Sequence, residues 1–274
     1  MPELPEVETI VRDIRPALVG RQIGPVSLSH DDILRGVSRR RLIRDVSGAT
    51  VHSVFRRAKH AVLDLGELRL VVQPGMTGSL IVYDRPLSLD EARYAVLRAP
   101  LDDGRELVYR DVRRIGKLRL LNAGGWRRYT EAIGPEPLAA DFTAARLGTA
   151  LGRSRAAVKK VLMDQRHLAG VGNIYANEAL FAAGIDPSKP ASRLTPNDHQ
   201  RLHAEIQRIL EAAIASSGTT VRDYRTGTGQ PGSFQLELLV YGREGEPCRQ
   251  CGTRLTGTHE IDARISVFCH RCQS

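Results

Sequence analysis

No cysteine occurs in the first 247 residues of this 274-residue chain; the four present all fall within the last 27. A disulfide framework spread through the fold is thereby excluded, and a local metal site is favoured instead. No apolar run approaches the roughly 20 residues that span a bilayer. The N-terminus is acidic and lacks the basic segment of a secretion signal, so a cytosolic location is expected. There is no internal repeat and no low-complexity tract. Acid is the minority charge, with 31 Asp and Glu against 40 Lys and Arg, a net +9. That excess favours a polyanionic partner, nucleic acid ahead of an anionic membrane, although a solvated basic surface also serves solubility. The length suits one large or two smaller domains with a buried core.

What is present changes character along the chain. Val7, Ile10, Val11, Ile14 and Leu18 recur at helical spacing, and Gly20 provides a stop. Residues 51–55, 61–65, 68–72, 79–83, 94–97, 106–110 and 117–121 are short apolar or alternating runs punctuated by Gly, Pro or Asp. No helical pattern separates them, so an antiparallel sandwich is expected, with the first helix packed against it. Residues 131–138 read as a linker. Beyond it, four helices are expected: one capped by Asp141 and running to 151, then 155–164, 174–183, and one opened by Thr195-Pro196-Asn197-Asp198 that ends near 215. Residues 216–234, rich in Gly, Ser and Thr, read as a loop.

Two CxxC pairs, Cys248/Cys251 and Cys269/Cys272, stand 17 residues apart. Each pair can place two sulfurs on one metal, and the spacer can return the chain as a hairpin over 258–268. The spacing predicts a closed tetrahedral zinc site. Four thiolates leave no position for water, so the metal is structural. An iron–sulfur cluster has the same ligand spacing. Gly170 and Gly172 precede a helix whose free N–H groups and dipole suit an anion; Asn173 could cap that helix or donate to a phosphate. The basic turn Arg56-Arg57-Ala58-Lys59 interrupts two strands, and Met76 stands in a glycine-rich turn from which it could also fold back into the core.

The opening Pro2-Glu3-Leu4-Pro5-Glu6-Val7-Glu8-Thr9 is chemically suggestive. Removal of Met1 exposes proline's secondary amine. An α-amine with an ordinary pKa of roughly 7.7–8.0 is partly unprotonated at neutral pH and can form an iminium with an electrophilic carbon. Glu3 stands beside it to move protons. Glu6 supports the site or caps the first helix. This PELPEVET run closely resembles the start of bacterial formamidopyrimidine-DNA glycosylases. The resemblance extends through RRAK at 56–59, GPEP at 134–137, GVGNIYANEALFAAGI at 170–185, the segment 217–224, YGREGEPC at 241–248 and the cysteine pairs.

That resemblance implies an α+β fold with three parts. An N-terminal antiparallel β-sandwich with a flanking helix fills 1–133. A helix–two-turns–helix DNA-binding domain fills 134–235, with a lid loop over 217–234. A four-cysteine zinc-finger β-hairpin fills 236–274. It implies catalytic roles for Pro2, Glu3, Lys59 and Arg264, the last gripping phosphate near the lesion. It makes Asn173 a phosphate clamp and gives Arg153 and Arg155 the place of a lysine cluster. Met76, Arg113 and Ile115 would fill the gap left by an everted nucleotide. Thr219, Thr220 and Tyr224 would belong to a lid over the flipped base, within the run Ser217 to Tyr224. Ile115 replaces the usual phenylalanine, Gln73-Pro74 the usual His-Leu, and Ile265-Ser266-Val267-Phe268 departs in detail.

The implied activity is that of a bifunctional glycosylase and abasic-site lyase. It would act as a monomer in a bacterial cytoplasm on double-stranded DNA carrying oxidised purines or abasic sites, with one structural Zn2+. Two other readings share much of the pattern: an endonuclease VIII-like glycosylase for oxidised pyrimidines, and a non-catalytic DNA-binding protein. The LPEVET opening and full-length lid segment argue against the first. The intact Pro2, Glu3 and Lys59 argue against the second.

Overall fold

The computed structural model describes residues 1–152, 154–220 and 224–274. The chain divides into two compact units: Met1–Glu131 with Ser216–Ser233, and Ala132–Ala215 with Phe234–Ser274. The first cut, after Glu131, falls at the start of segment 131–138, and two more flank segment 216–233.

The first unit opens with helix α1 (Leu4–Leu18). Its Leu4, Val7, Ile10, Val11, Ile14 and Leu18 are all at most 1% exposed, so the whole apolar stripe is inside. Burial of each such side chain is worth about 1.5–3 kcal/mol. Gly20 at φ +82° ends the helix as expected. There follow β1 (Ser27–Leu28), α2 (Arg39–Val46), β2 (Ser53–Arg57), β3 (His60–Asp64), β4 (Leu68–Gln73), β5 (Gly78–Tyr83), α3 (Leu89–Arg93), β6 (Ala95–Pro100), β7 (Glu106–Asp111), β8 (Lys117–Asn122) and α4 (Ala123–Glu131). The seven expected strands are present, with three short helices that the apolar pattern does not announce.

The strands form two four-stranded sheets, ordered β1-β6-β7-β5 and β2-β3-β4-β8, and every ladder within them is antiparallel. Leu80 and Tyr109, partners across β5 and β7, point into one core with Ala61, Leu63, Leu70 and Leu118 of the other sheet. Their neighbours Ile81 and Val108 point the opposite way, into a smaller cluster with Tyr83 and Ala95. This two-residue alternation is what makes the pair a sandwich.

The second unit holds α5 (Ala144–Leu151), α6 (Val158–Met163), α7 (Asn173–Ala182) and α8 (Pro196–Ala215), then the antiparallel pair β9 (Thr256–Thr258) and β10 (Ser266–Phe268). The four expected helices are there, with two corrected starts. Thr143, not Asp141, caps α5 through its hydroxyl, and Asp141 instead pairs with Arg146. Helix α6 begins at Val158 rather than 155, because the preceding chain is engaged with residues 189–190 (Val158 N–H to Lys189 O, 2.8 Å). Thr195 and Asp198 close a reciprocal cap on α8, at 2.9 and 3.1 Å. Among the described residues, no helix is long and apolar enough to cross a membrane.

Candidate active site and nucleic-acid interface

Pro2 and Glu3 form the buried entry to α1; Glu3 is 4% exposed. Pro5 lies in the first turn, where a missing N–H costs nothing. Glu6 caps the first helix, one of its two expected roles. Its carboxylate accepts the Glu3 N–H at 2.8 Å, a capping bond, and also the Thr219 N–H at 2.8 Å. The Tyr224 hydroxyl donates to the Glu6 carbonyl at 3.1 Å. Segment 216–220 is thus seated on the start of α1. Gly218, at φ +82°, is in the left-handed region, and a Cβ there would also be tight, 3.1 Å from Glu6 and 3.2 Å from Tyr224. Thr219 and Tyr224 are buried here, and Thr220 is half-buried. Residues 221–223 of the expected lid lie outside the described residues.

The electrostatics of the chain start are shaped by this cluster. The Met1 α-amine is held below its ordinary value, chiefly by burial; Glu3 and Glu6 oppose the shift, while Lys59 and Arg113 add to it. Two carboxylates and two cations thus act electrostatically on the amine. Lys59 is 6% exposed and sits at the turn between β2 and β3, beside Ala58 in the left-handed region at φ +51°. The turn is braced by His60. Its Nδ1 lies 2.9 Å from the Arg57 carbonyl and its Nε2 2.9 Å from the Tyr129 hydroxyl of α4. A carbonyl only accepts, so Nδ1 carries the proton and the neutral Nε2 receives Tyr129. Burial above all pushes His60 down to about 4; the Arg57 carbonyl opposes this and the Arg119 guanidinium assists.

Met76, Arg113 and Ile115 are exposed on two adjacent loops, 74–77 and 112–116. Arg113 Nη1 reaches the Met76 sulfur at 3.6 Å. Gln73 and Pro74 lead into a turn that closes through Gly78 N–H to Gly75 O, 3.0 Å. Ile115 packs its Cγ1 where a Cβ on Gly75 would be, at 2.6 Å.

In the second unit, Asn173 is the first helical residue of α7. Gly172 is the cap, so the capping alternative for Asn173 falls away. Its Oδ1 and backbone carbonyl receive Asn177 Nδ2, at 3.3 and 2.6 Å. Asn177 Oδ1 in turn accepts the Val267 N–H at 2.8 Å, tying α7 to β10. The buried Glu178 accepts three consecutive backbone N–H groups, from Leu239, Val240 and Tyr241, at 2.8–3.0 Å. Burial pushes its carboxyl up and the three amides pull it back. Lys159, fully buried, donates to Ile265 O at 2.8 Å and Ser266 Oγ at 2.7 Å. These bonds anchor the hairpin beside Arg264, whose guanidinium is half exposed and paired with Asp262 at 3.2 Å. Arg155 is exposed, and Arg153 lies outside the described residues.

The sulfurs of Cys248, Cys251, Cys269 and Cys272 all lie within 4.8 Å of one another. The separations Cys251–Cys269, 3.5 Å, and Cys248–Cys272, 3.9 Å, straddle the roughly 3.8 Å edge of a tetrahedron with bonds of about 2.3 Å. A disulfide needs about 2.05 Å. Their donor set fits a structural metal.

Sequence reasoning assigned no role to Asp111, His60, Lys159, Asn177 or Glu178. All are buried polar groups with at least one partner distant in the chain. Their one local signal is a charged or amide side chain inside an otherwise apolar run.

The description "Formamidopyrimidine-DNA glycosylase N-terminal domain" matches residues 1–118, and "Formamidopyrimidine-DNA glycosylase H2TH domain" matches 133–225. The formamidopyrimidine-DNA glycosylase of Stutzerimonas stutzeri is 43% identical over 100% of both chains. That of Chloroflexus aurantiacus is 40% identical over 100% of this chain and 98% of the relative. A point mutant of the Lactococcus lactis FPG, solved in complex with a Fapy-dG-containing DNA, superposes with a TM-score of 0.90 at 31% identity over 100% of both chains. The MutM (FPG) protein of Thermus thermophilus gives 0.86 at 36% over 99% of this chain and 98% of that one. A two-sheet unit with a buried Pro2–Glu3 chain start, joined to a helical unit with a four-cysteine hairpin, is the architecture of a DNA-repair glycosylase. The chain belongs to the formamidopyrimidine-DNA glycosylase family.

Proposed function

We propose that this chain is a bifunctional DNA glycosylase and abasic-site lyase that removes oxidised purines, 8-oxoguanine and formamidopyrimidines, from duplex DNA. The single observation that carries the reading is the chain start: an α-amine depressed by burial, with Glu3, Glu6, Lys59 and Arg113 acting on it. Removal of Met1 exposes the secondary amine of the buried Pro2, one residue further along. Its lone pair attacks the sugar C1′ and the bond to the damaged base breaks. Glu3 supplies and withdraws protons, and Lys59 holds the adjoining phosphate. Loss of the amine proton and cleavage of the C1′–O4′ bond, with Glu3 protonating O4′, open the sugar ring to an iminium, which acidifies C2′. Departure of that proton expels the 3′ phosphate, and a second elimination expels the 5′ phosphate. Met76, Arg113 and Ile115 enter the stack as the base is everted, an apolar wedge replacing an aromatic one. Thr219 and Tyr224 serve through Glu6; Thr220 is the lid residue assigned to the base.

Asn173, Arg155 and Arg264 grip the backbone, which makes affinity fall with salt. A Zn2+ held by the four cysteines would fix the hairpin that carries Arg264. Support for the substrate class comes from the L. lactis relatives, whose structures hold DNA with Fapy-dG or an abasic site. The test is incubation with duplexes carrying 8-oxoguanine or an oxidised pyrimidine, in borohydride. A covalent adduct with the 8-oxoguanine duplex is expected. An adduct with the pyrimidine alone would transfer the chain to the endonuclease VIII-like class. Tight binding with neither adduct nor cutting would leave a binding protein.

A further inference from the structure

One carboxylate stands behind both loops that bear Met76, Arg113 and Ile115. Asp111, the last residue of β7, is 1% exposed. Its Oδ1 accepts the Thr77 hydroxyl at 2.5 Å. Its Oδ2 accepts the Gly116 N–H at 2.8 Å and the Tyr109 hydroxyl at 2.9 Å. Thr77 Oγ1 then accepts the Arg113 N–H at 3.0 Å. The packing leaves no slack. A Cβ on Gly116 would stand 1.8 Å from the Tyr109 hydroxyl and 2.9 Å from Asp111 Oδ2, and one on Gly75 also 2.9 Å from Oδ2. Between Arg113 and Gly116, Arg114 sits at φ +50°, a left-handed backbone unusual for a side-chain-bearing residue, with its N–H on the Asp111 carbonyl at 3.2 Å. Such conformations persist where the surroundings over-determine them.

The geometry points to Asp111, acting through Thr77, as the positioning residue that makes the two loops a single preassembled wedge for opening duplex DNA. The inference rests on the proposed function, since it needs those loops to enter the stack. Asp111 touches no DNA in this role. It fixes the backbone at Arg113 and Gly116 and the turn at Thr77, so the inserting side chains advance together and no loop ordering is needed at the moment of insertion. The chemistry demands an acceptor at both oxygens. In Asp111→Asn the amide oxygen must face Gly116, whose N–H can only donate. The new NH2 then faces Thr77 Oγ1, which already accepts from Arg113, and the threonine proton loses its acceptor.

The test mixes the full-length protein with a duplex carrying 8-oxoguanine and a fluorescent adenine analogue beside it, following the unstacking signal in time and the equilibrium affinity in parallel. Thr77→Val keeps the shape and removes both threonine bonds. It should slow opening about tenfold while affinity stays within about threefold. Thr77→Ser keeps the hydroxyl and should open near the wild-type rate. Asp111→Asn should be slowed at least as much as Thr77→Val; if it does not fold, the Thr77 pair decides. Opening at the wild-type rate in Thr77→Val, or equal slowing in Thr77→Ser, would overturn the inference. A wild-type protein that binds without any unstacking signal would instead overturn the proposed function beneath it.

Discussion

His60 makes the stability of the first unit depend on pH between about 6.5 and 4. Its imidazole is neutral in the fold, with a proton affinity pushed from the ordinary 6.5 down to about 4. The unfolded chain binds a proton below 6.5 and the folded chain does not until about 4. Folding stability therefore holds above about pH 6.5, falls as pH drops, and levels off below about 4. At about 1.4 kcal/mol per pH unit the full loss is about 3 kcal/mol, and most of it is reached by pH 4.5. The control is His60→Gln. An amide spaces its N and O much as the imidazole spaces its nitrogens, so it can donate to Arg57 and accept from Tyr129 without titrating. Trp126, the sole tryptophan, packs edge-on against Phe55 at 5.9 Å and lies in the same helix as Tyr129. Its fluorescence reports unfolding of this unit directly. Denaturant titrations at pH 7.5, 6.5, 5.5 and 4.5 should show the wild type losing about 2–3 kcal/mol more than His60→Gln. Parallel curves for the two proteins would refute the assignment of a neutral, doubly bonded His60.

Three further outcomes are expected. Chelation of the metal proposed for the four cysteines, or Cys269→Ser, should weaken DNA binding in a salt titration while leaving Trp126 emission unchanged, since the cysteines and Trp126 belong to different units. Glu6→Gln places an NH2 against one of two N–H donors and should cost about 1–3 kcal/mol, accompanied by faster proteolysis between 216 and 233. Lys159→Met removes both hairpin bonds and should reduce DNA affinity with little change in the thermal unfolding of the first unit.

How much of this was legible depends on whether the cause is local. The strands were readable because alternation within five or six residues decides which face is buried, as in Leu107-Val108-Tyr109. Helix α1 was readable for the same reason at a different period. Helix α2 was not: in Arg39-Arg40-Arg41-Leu42-Ile43-Arg44-Asp45-Val46 only Leu42 and Val46 are buried, too few to mark a period. Helix α4 begins Ala-Gly-Gly and buries no residue; arginines over aromatic rings, Arg119 on Tyr129 at 4.9 Å among them, accompany it. The cysteine cluster was legible because metal chemistry writes itself into spacing. The chain start was legible only as a possibility, since proximity to Lys59 and Arg113 is set by the fold. The loop over 216–233 gave no sign of its seat on α1. Gly218 and Gly227 look like ordinary flexible glycines, yet a Cβ on Gly227 would meet Asp13 at 2.6 Å. Asp111 reads as the end of a strand, and its bond to Thr77, 34 residues away, has no local sign.

The central claim is that the N-terminal amine is the nucleophile. Mass spectrometry of active protein, before and after borohydride trapping on an 8-oxoguanine duplex, tests it most directly. The protein should begin at Pro2, and the trapped sugar should map to the N-terminal peptide through the Pro2 nitrogen. An adduct on Lys59, or full lyase activity from protein that retains Met1, would contradict it.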